Sequence, residues 1–148
     1  MELRTLLEKK GFYRIPLKKL NSTHYLVRAK IHGKDARLIL DTGASTTCID
    51  IKRALHFDII HEKSNVMAAG AGSIGMETEF SHKNDLQIGS WVDRNIALVL
   101  FDLSHINIAL SEAEEDPVDG ILGADFLKKH RAVIDYGRNC FYLKDKTH

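Results

Sequence analysis

Residues 38–47 read Leu-Ile-Leu-Asp-Thr-Gly-Ala-Ser-Thr-Thr, and the fold turns on how that stretch is read. Leu38, Ile39 and Leu40 have the character of a buried strand, which delivers one carboxylate, Asp41, to a turn built from Thr42 and Gly43. Gly43 allows close backbone approach and offers its N–H to the carboxylate, while Thr42 can hydrogen-bond locally or across an interface. Ala44 and Ser45 continue the loop with small side chains. An acid at the exit of a core strand is costly unless it is hydrogen-bonded or paired, so it points to a function. The Asp-Thr-Gly tripeptide occurs once in the chain.

About eighty residues downstream, Ile121-Leu122-Gly123 repeats the logic: an apolar strand end, a glycine that lets another segment pass close by, then a short helix from about Ala124 to His130. Such a strand can lie beside that of Asp41 and wall the carboxylate with apolar side chains. Between the two, Val66 to Phe80 is apolar and then alternating, broken by Gly70, Gly72 and Gly75, as in a hairpin with a Gly-rich tip. Elsewhere Leu3, Leu6 and Leu7 predict a first helix stopped at Gly11. Strands are predicted over Phe12–Leu17, Thr23–Ile31, Ala36–Leu40 and Cys48–Asp50, from Asp85 and over Arg94–Leu100, with two more near the end, Ala132–Tyr136 and Cys140–Leu143. His32 to Asp35 is a predicted hairpin turn, Ile51–Phe57 one helical turn or two, and Phe101–Leu110 is ambiguous between helix and strand. Many short strands, tight turns and one or two short helices predict a compact, mostly β domain. Without repeat, linker or low-complexity tract, the chain reads as a partly helical extension over 1–20 and a single domain over 21–148.

With 148 residues, 44% hydrophobic and 28% charged, the chain is long enough to bury a core and is unlike a disordered polypeptide. The net charge of +1 is unevenly spread: ten Lys/Arg stand against three Asp/Glu up to Arg37, and eleven against seventeen beyond it. The basic residues are dispersed and lack interleaved aromatics, so a solvated face is expected rather than a nucleic-acid partner. No apolar run approaches the roughly 20 residues of a membrane span, and the first residues lack the apolar core of a secretory signal, so a cytoplasmic protein is expected. Cys48 and Cys140 then read as two buried free thiols. His56 and His61 are five apart, and neither His-Glu-x-x-His nor Cys-x-x-Cys occurs, so no metal or other cofactor is expected.

Leu-Ile-Leu-Asp-Thr-Gly-Ala-Ser, the Val66–Phe80 stretch and Asp-Gly-Ile-Leu-Gly-Ala-Asp-Phe-Leu together resemble the catalytic loop, the flap and the hydrophobic-hydrophobic-Gly segment of the retropepsin-like aspartic proteases, the single-lobed family of the retroviral enzymes. The resemblance covers roughly Tyr25 to Leu143. It implies a closed β barrel or sandwich with a Gly-rich flap hairpin, and an aspartic endopeptidase acting on peptide or protein substrates. Asp41 would be catalytic and Thr42, Gly43, Ala44 and Ser45 would support it. Met67, Gly70, Ala71, Gly72 and Ser73 would bind substrate from the flap, and Ile121, Leu122 and Gly123 would form the apolar wall. Since one chain carries one such aspartate, the resemblance implies a C2 homodimer in which two Asp41 carboxylates share the work and Thr42 cross-bonds beneath them. The Gly70–Ser73 tip is smaller than is usual in the family, which leaves clamping either looser or dependent on Met67, Ile74 or Met76.

Two rivals remain at this level. Gly70-Ala71-Gly72-Ser73-Ile74-Gly75 is a literal G-x-G-x-x-G, but a dinucleotide site needs a helix to open there, and Met76 onward alternates and turns polar. The other is a non-catalytic, protease-like dimer that binds a peptide or partner. Ser45 is no serine nucleophile: G-x-S-x-G is absent and no His base stands at a recognisable spacing.

Overall fold

His32 and Gly33 both adopt positive φ, +49° and +79°, the backbone of a two-residue type I′ hairpin turn. The expected turn over 32–35 is therefore shorter and the strand after it longer, because a type I′ turn matches strand twist and lets pairing resume at once. The computed structural model describes residues 1–64 and 78–145. In chain order the elements are α1 (Leu3–Lys9), β1 (Phe12–Pro16), β2 (Lys18–Lys19), β3 (Tyr25–Ile31), β4 (Lys34–Leu40), β5 (Cys48–Asp50), β6 (Glu62–Ser64), β7 (Thr78–Ile88), β8 (Trp91–Phe101), α2 (Ser104–Glu112), β9 (Gly120–Leu122), α3 (Ala124–Lys129), β10 (Val133–Asp135) and β11 (Cys140–Lys144). Single 3-10 turns follow β5 (Ile51–Arg53) and β10 (Tyr136–Arg138).

The main sheet runs β2-β3-β4-β9-β5-β8-β7-β6, and a further pairing of β3 with β7 closes six of these strands into a barrel. Most neighbours are antiparallel, but β4 with β9 and β5 with β8 are parallel. Those two parallel pairs flank the antiparallel β5–β9 contact, where Cys48 meets Ile121. Strand β4 is buried on both faces, which is why its end reads as an unbroken aliphatic run. Leu38 points into the barrel core with Val27, Ile49 and Leu122, while Ile39 packs outside with Leu20, Leu26, Leu110 and Val118, beneath α2.

The segment 1–20 is laid against the barrel. β1 pairs antiparallel with β11 from Phe12↔Lys144 to Pro16↔Cys140, and β11 also pairs with β10. Leu7 of α1 packs with Phe12, Cys140 and Tyr142. Ile15 and Leu17 join the main core with Trp91, Phe126 and Phe141.

Strands β7 and β8 are longer than their sequences suggest, 11 residues each. The polar run Ser81–Asp85 hides the continuity of β7 because it carries irregularities in register between Ser81 and Leu86. The ambiguous stretch after Phe101 is a helix, α2, making three α-helices among the described residues. Its first turn is capped from outside: the Asp102 carboxylate accepts from the Ser104 N–H at 2.8 Å. Bonds from Ser104 and from Lys52 hold that carboxyl down at about 2. Among the described residues no helix is long and apolar enough to cross a membrane.

Candidate active site

Strand β4 ends at Leu40, and the next residue is held by its parallel neighbour: the Asp41 N–H donates to the Leu122 carbonyl at 3.0 Å. The register Leu38↔Gly120, Ile39↔Ile121, Leu40↔Leu122 thus sets where the carboxylate emerges. The loop then folds back on Asp41. Gly43 donates its N–H to Asp41 Oδ1 at 2.8 Å and Ala44 donates to the Asp41 carbonyl at 3.2 Å. A Cβ on Gly43 would stand 3.2 Å from Oδ1, so the glycine leaves room for the carboxylate it binds. Ala44 is buried, Asp41 is half-buried, and Thr42, Gly43 and Ser45 are exposed. The acid is therefore fixed by its own loop and still open on one side.

Ile121 and Leu122 are fully buried beside the loop, and Gly123 passes beneath it. A Cβ at Gly123 would lie 2.7 Å from the carbonyl carbon and oxygen of Thr46 and 2.9 Å from the Ala44 oxygen, all of them main-chain atoms. That contact requires glycine by close approach, since its φ of −98° suits any residue. Just beyond, Ala124 donates to the Ala44 carbonyl at 2.7 Å and Asp125 to the Ser45 carbonyl at 3.3 Å.

Two residues that the sequence does not single out, Thr47 and Asp125, lock these segments together. Asp125 Oδ1 accepts from the Thr47 N–H at 2.8 Å, from Thr47 Oγ1 at 2.7 Å and from the Phe126 N–H at 2.7 Å. Thr47 Oγ1 accepts in turn from the Gly123 N–H at 3.0 Å. Thr47 is buried, so these bonds give its N–H and hydroxyl the partners that water cannot supply. The available signal is an Asp in the first turn of α3, a position that favours acids and side-chain bonds to main-chain N–H groups. Next in the chain, the buried Cys48 thiol is pushed up to about 12, first by burial and then by the carboxylates of Asp125 and Asp41. It is a packed, inert thiol; Cys140 is likewise buried and free.

Met67, Gly70, Ala71, Gly72 and Ser73 lie outside the described residues, as does the whole Gly70–Gly75 run. The segments flanking them pair as a hairpin base, with Glu62↔Phe80, Lys63↔Glu79 and Ser64↔Thr78. The first described element after the glycines is strand β7, not the helix a dinucleotide site needs. Among the described residues no three His, Cys, Asp or Glu side chains converge as metal ligands would.

The family model for aspartyl proteases matches residues 27–126. No curated protein matches the chain by sequence. Among solved structures it is similar to a retropepsin-like aspartic protease from Rickettsia conorii, at TM-score 0.57 and 16% identity over 90% of this chain and 88% of that one. It is similar also to the retroviral protease-like domain of Ddi1 from Leishmania major, at TM-score 0.54 and 18% identity over 80% and 86%. The EIAV protease, solved with the inhibitor HBY-793, matches at TM-score 0.51 and 18% identity over 74% and 89%. At these identities the structural likeness is one of fold. Together with the match over residues 27–126, it makes this chain a member of the aspartyl protease family, with the single-lobed, retropepsin-like barrel.

Proposed function

We propose that the chain is an aspartic endopeptidase that hydrolyses peptide bonds in peptide or protein substrates as a C2 homodimer, with Asp41 of each copy facing the other across the two-fold axis. The observation that carries this reading is the state of Asp41: its carboxylate is oriented by the Gly43 N–H, while Thr42, Gly43 and Ser45 beside it are exposed. It has the form of half a site. Two carboxylates about 3 Å apart cannot both ionise, so the pair shares a proton. The ionised member takes a proton from a water that attacks the scissile carbonyl, and the protonated member donates to the carbonyl oxygen. Symmetry makes the two roles interchangeable. Thr42 of each copy would cross-bond beneath the pair, and Gly43, Ala44 and Ser45 would hold the loop. Ile121, Leu122 and Gly123 would wall it. Met67 and the Gly70–Ser73 stretch, which lie in sequence between β6 and β7, would cover substrate. Residues 21–148 carry the site in this reading and 1–20 form an extension.

The test is cleavage of an unstructured protein from about pH 3 to about pH 8, with and without a statine-type inhibitor. Inhibitor-sensitive cleavage is expected, favoured by acid because the shared proton is lost as pH rises through the upper pKa of the pair. It should fall on dilution through the dimer constant. Asp41→Asn should stay folded and dimeric and lose activity. Cleavage undiminished in Asp41→Asn would end the proposal; inertness at every pH would favour a protease-like binding module.

A further inference from the structure

The uneven charge of the sequence becomes local in the fold. A groove of about 530 Å³ runs between the β1–β2 segment and the outer face of β3. Four cations line it: Arg14, Lys18, Arg28 and Lys30. None of them forms an ion pair with an acid among the described residues, although Arg4, Lys34, Lys52, Arg53, Arg94 and Arg138 all do. The one acid in the lining, Asp35, is the cross-strand partner of Lys30. Arg28 also stands directly opposite Arg37 on β4. Like charges at that position cost free energy, and Arg37 Nε answers only a carbonyl, that of Pro117 at 3.1 Å. Arg28 also lines an adjoining cavity of about 1020 Å³, where Asp35, Asp50, Asp116 and Asp119 balance the cations, so the excess of positive charge belongs to the smaller groove.

The groove also coincides with a break in the barrel wall. On this edge β3 pairs with β2 at Tyr25 and Leu26 and with β7 at Lys30 and Ile31. Val27, Arg28 and Ala29 between them have no strand partner there among the described residues. By the alternation of the ladder, the main-chain N–H and C=O of Arg28 face the gap. The floor is aliphatic, from Ile15, Leu17, Leu26 and Ala29.

We propose that this groove docks an extended, acidic segment of another polypeptide, with aliphatic residues between its Asp and Glu side chains. Acids on the segment would meet Arg14, Lys18, Arg28 and Lys30, its aliphatic residues would lie on the floor, and its main chain would meet the open edge at Arg28. The lining has no aromatic side chain to stack a base, which disfavours nucleic acid. The groove is distinct from the Asp41 loop. Asp35 lies near the start of β4, six residues and about 20 Å of strand from Asp41. It would act as a docking site for a partner polypeptide, and it stands whether or not the peptidase reading does.

Asp41→Asn protein, which cannot consume the probe, is titrated into a fluorescein-labelled peptide of alternating Glu and Leu, and separately into the same peptide with Gln for Glu and into labelled oligothymidylate. The acidic peptide should bind, should weaken as salt is raised, and should lose about tenfold in affinity with Arg28→Glu/Lys30→Glu. Amide shifts in the unreversed protein should map to residues 14–18 and 26–30, a readout that holds even if the charge-reversed variant folds poorly. Equal binding of the Gln peptide, tighter binding of the oligonucleotide, unchanged affinity in a folded double variant, or shifts centred on residues 41–47 would each overturn the proposal.

Discussion

Replacing Thr47 by Val removes one hydroxyl from beneath the Asp41 loop, and the cost can be worked out bond by bond. The hydroxyl donates to the Asp125 carboxylate at 2.7 Å and accepts from the Gly123 N–H at 3.0 Å. A hydrogen bond to a charged group contributes about 1.5–3 kcal/mol, and a buried N–H left without a partner costs about 1–3 kcal/mol. Asp125 keeps its bonds from Thr47 N and Phe126 N and is partly open to water, so the first figure belongs at its low end. The sum is about 3 kcal/mol, which for an m-value of about 2 kcal/mol/M lowers the urea midpoint by about 1.5 M. Thr47→Ser keeps the hydroxyl and loses a methyl group, a cost of about 1 kcal/mol. Unfolding is followed by circular dichroism at one protein concentration, so that any dimerisation contributes equally. On the peptidase reading, the Val variant should also lose much more kcat/KM than the Ser variant, since a shift of about 1 Å at a reacting group can cost about 100-fold. A Val variant within about 0.5 kcal/mol of wild type, or a Ser variant as damaged as Val, would refute the role given to this hydroxyl.

Gly123→Ala should destabilise by at least about 3 kcal/mol, because the new Cβ meets main-chain atoms of Thr46 and Ala44 at under 3 Å and cannot rotate away; wild-type melting of that variant would show that the loop yields. Deleting residues 1–16 removes β1 from β11 and exposes the core around Phe12 and Ile15, so the truncated chain should lose about 5 kcal/mol or fail to fold. A truncated chain as stable as the full one would mean that β1 contributes nothing to the barrel. Neither Cys48 nor Cys140 should react with a thiol reagent near neutral pH until the protein is unfolded, when both should. Because the folded Cys48 thiol sits at about 12, above its unfolded value of 9.0, its contribution to stability is complete below about pH 9 and is lost as pH rises toward 12. A Cys48→Ala variant should lose that alkaline slope, and an unchanged slope would assign it elsewhere.

The part of this site that can be read from the sequence is the part made by local chemistry. A strand end, Asp41, Thr42 and Gly43 form a self-contained turn, and Ile121-Leu122-Gly123 signals a tight crossing by its own residue types. The Thr47–Asp125 lock is invisible at that level because its members are 78 residues apart in sequence, and each alone resembles an ordinary turn threonine or first-turn acid. Strand length is hidden for the same kind of reason. Ser81–Asp85 looks like a loop until Asn84, buried and bonded to the Ile96 carbonyl, is seen to span an irregular ladder. Helix α2 lacks a strong apolar stripe, and its capping acid, Asp102, sits one residue before the position where a cap is usually sought. The clustering of Arg14, Lys18, Arg28 and Lys30 depends on two strands meeting, which spacing along the chain does not reveal.

The parallel pairing of β4 with β9 has a consequence in time. The contacts that brace the loop after Asp41 from outside, from the Leu122 carbonyl to the Asp125 carboxylate, are supplied by residues 122–125. A nascent chain emerges from the ribosome N-terminus first, so the segment bearing Asp41 is exposed long before its supports have been synthesised. Until then the loop has only its own short-range bonds, from Gly43 and Ala44 to Asp41, to hold the acid. The order of the chain thus delays assembly of the site until these residues have been made, and on the peptidase reading a growing polypeptide carries no working centre while it is still unfolded.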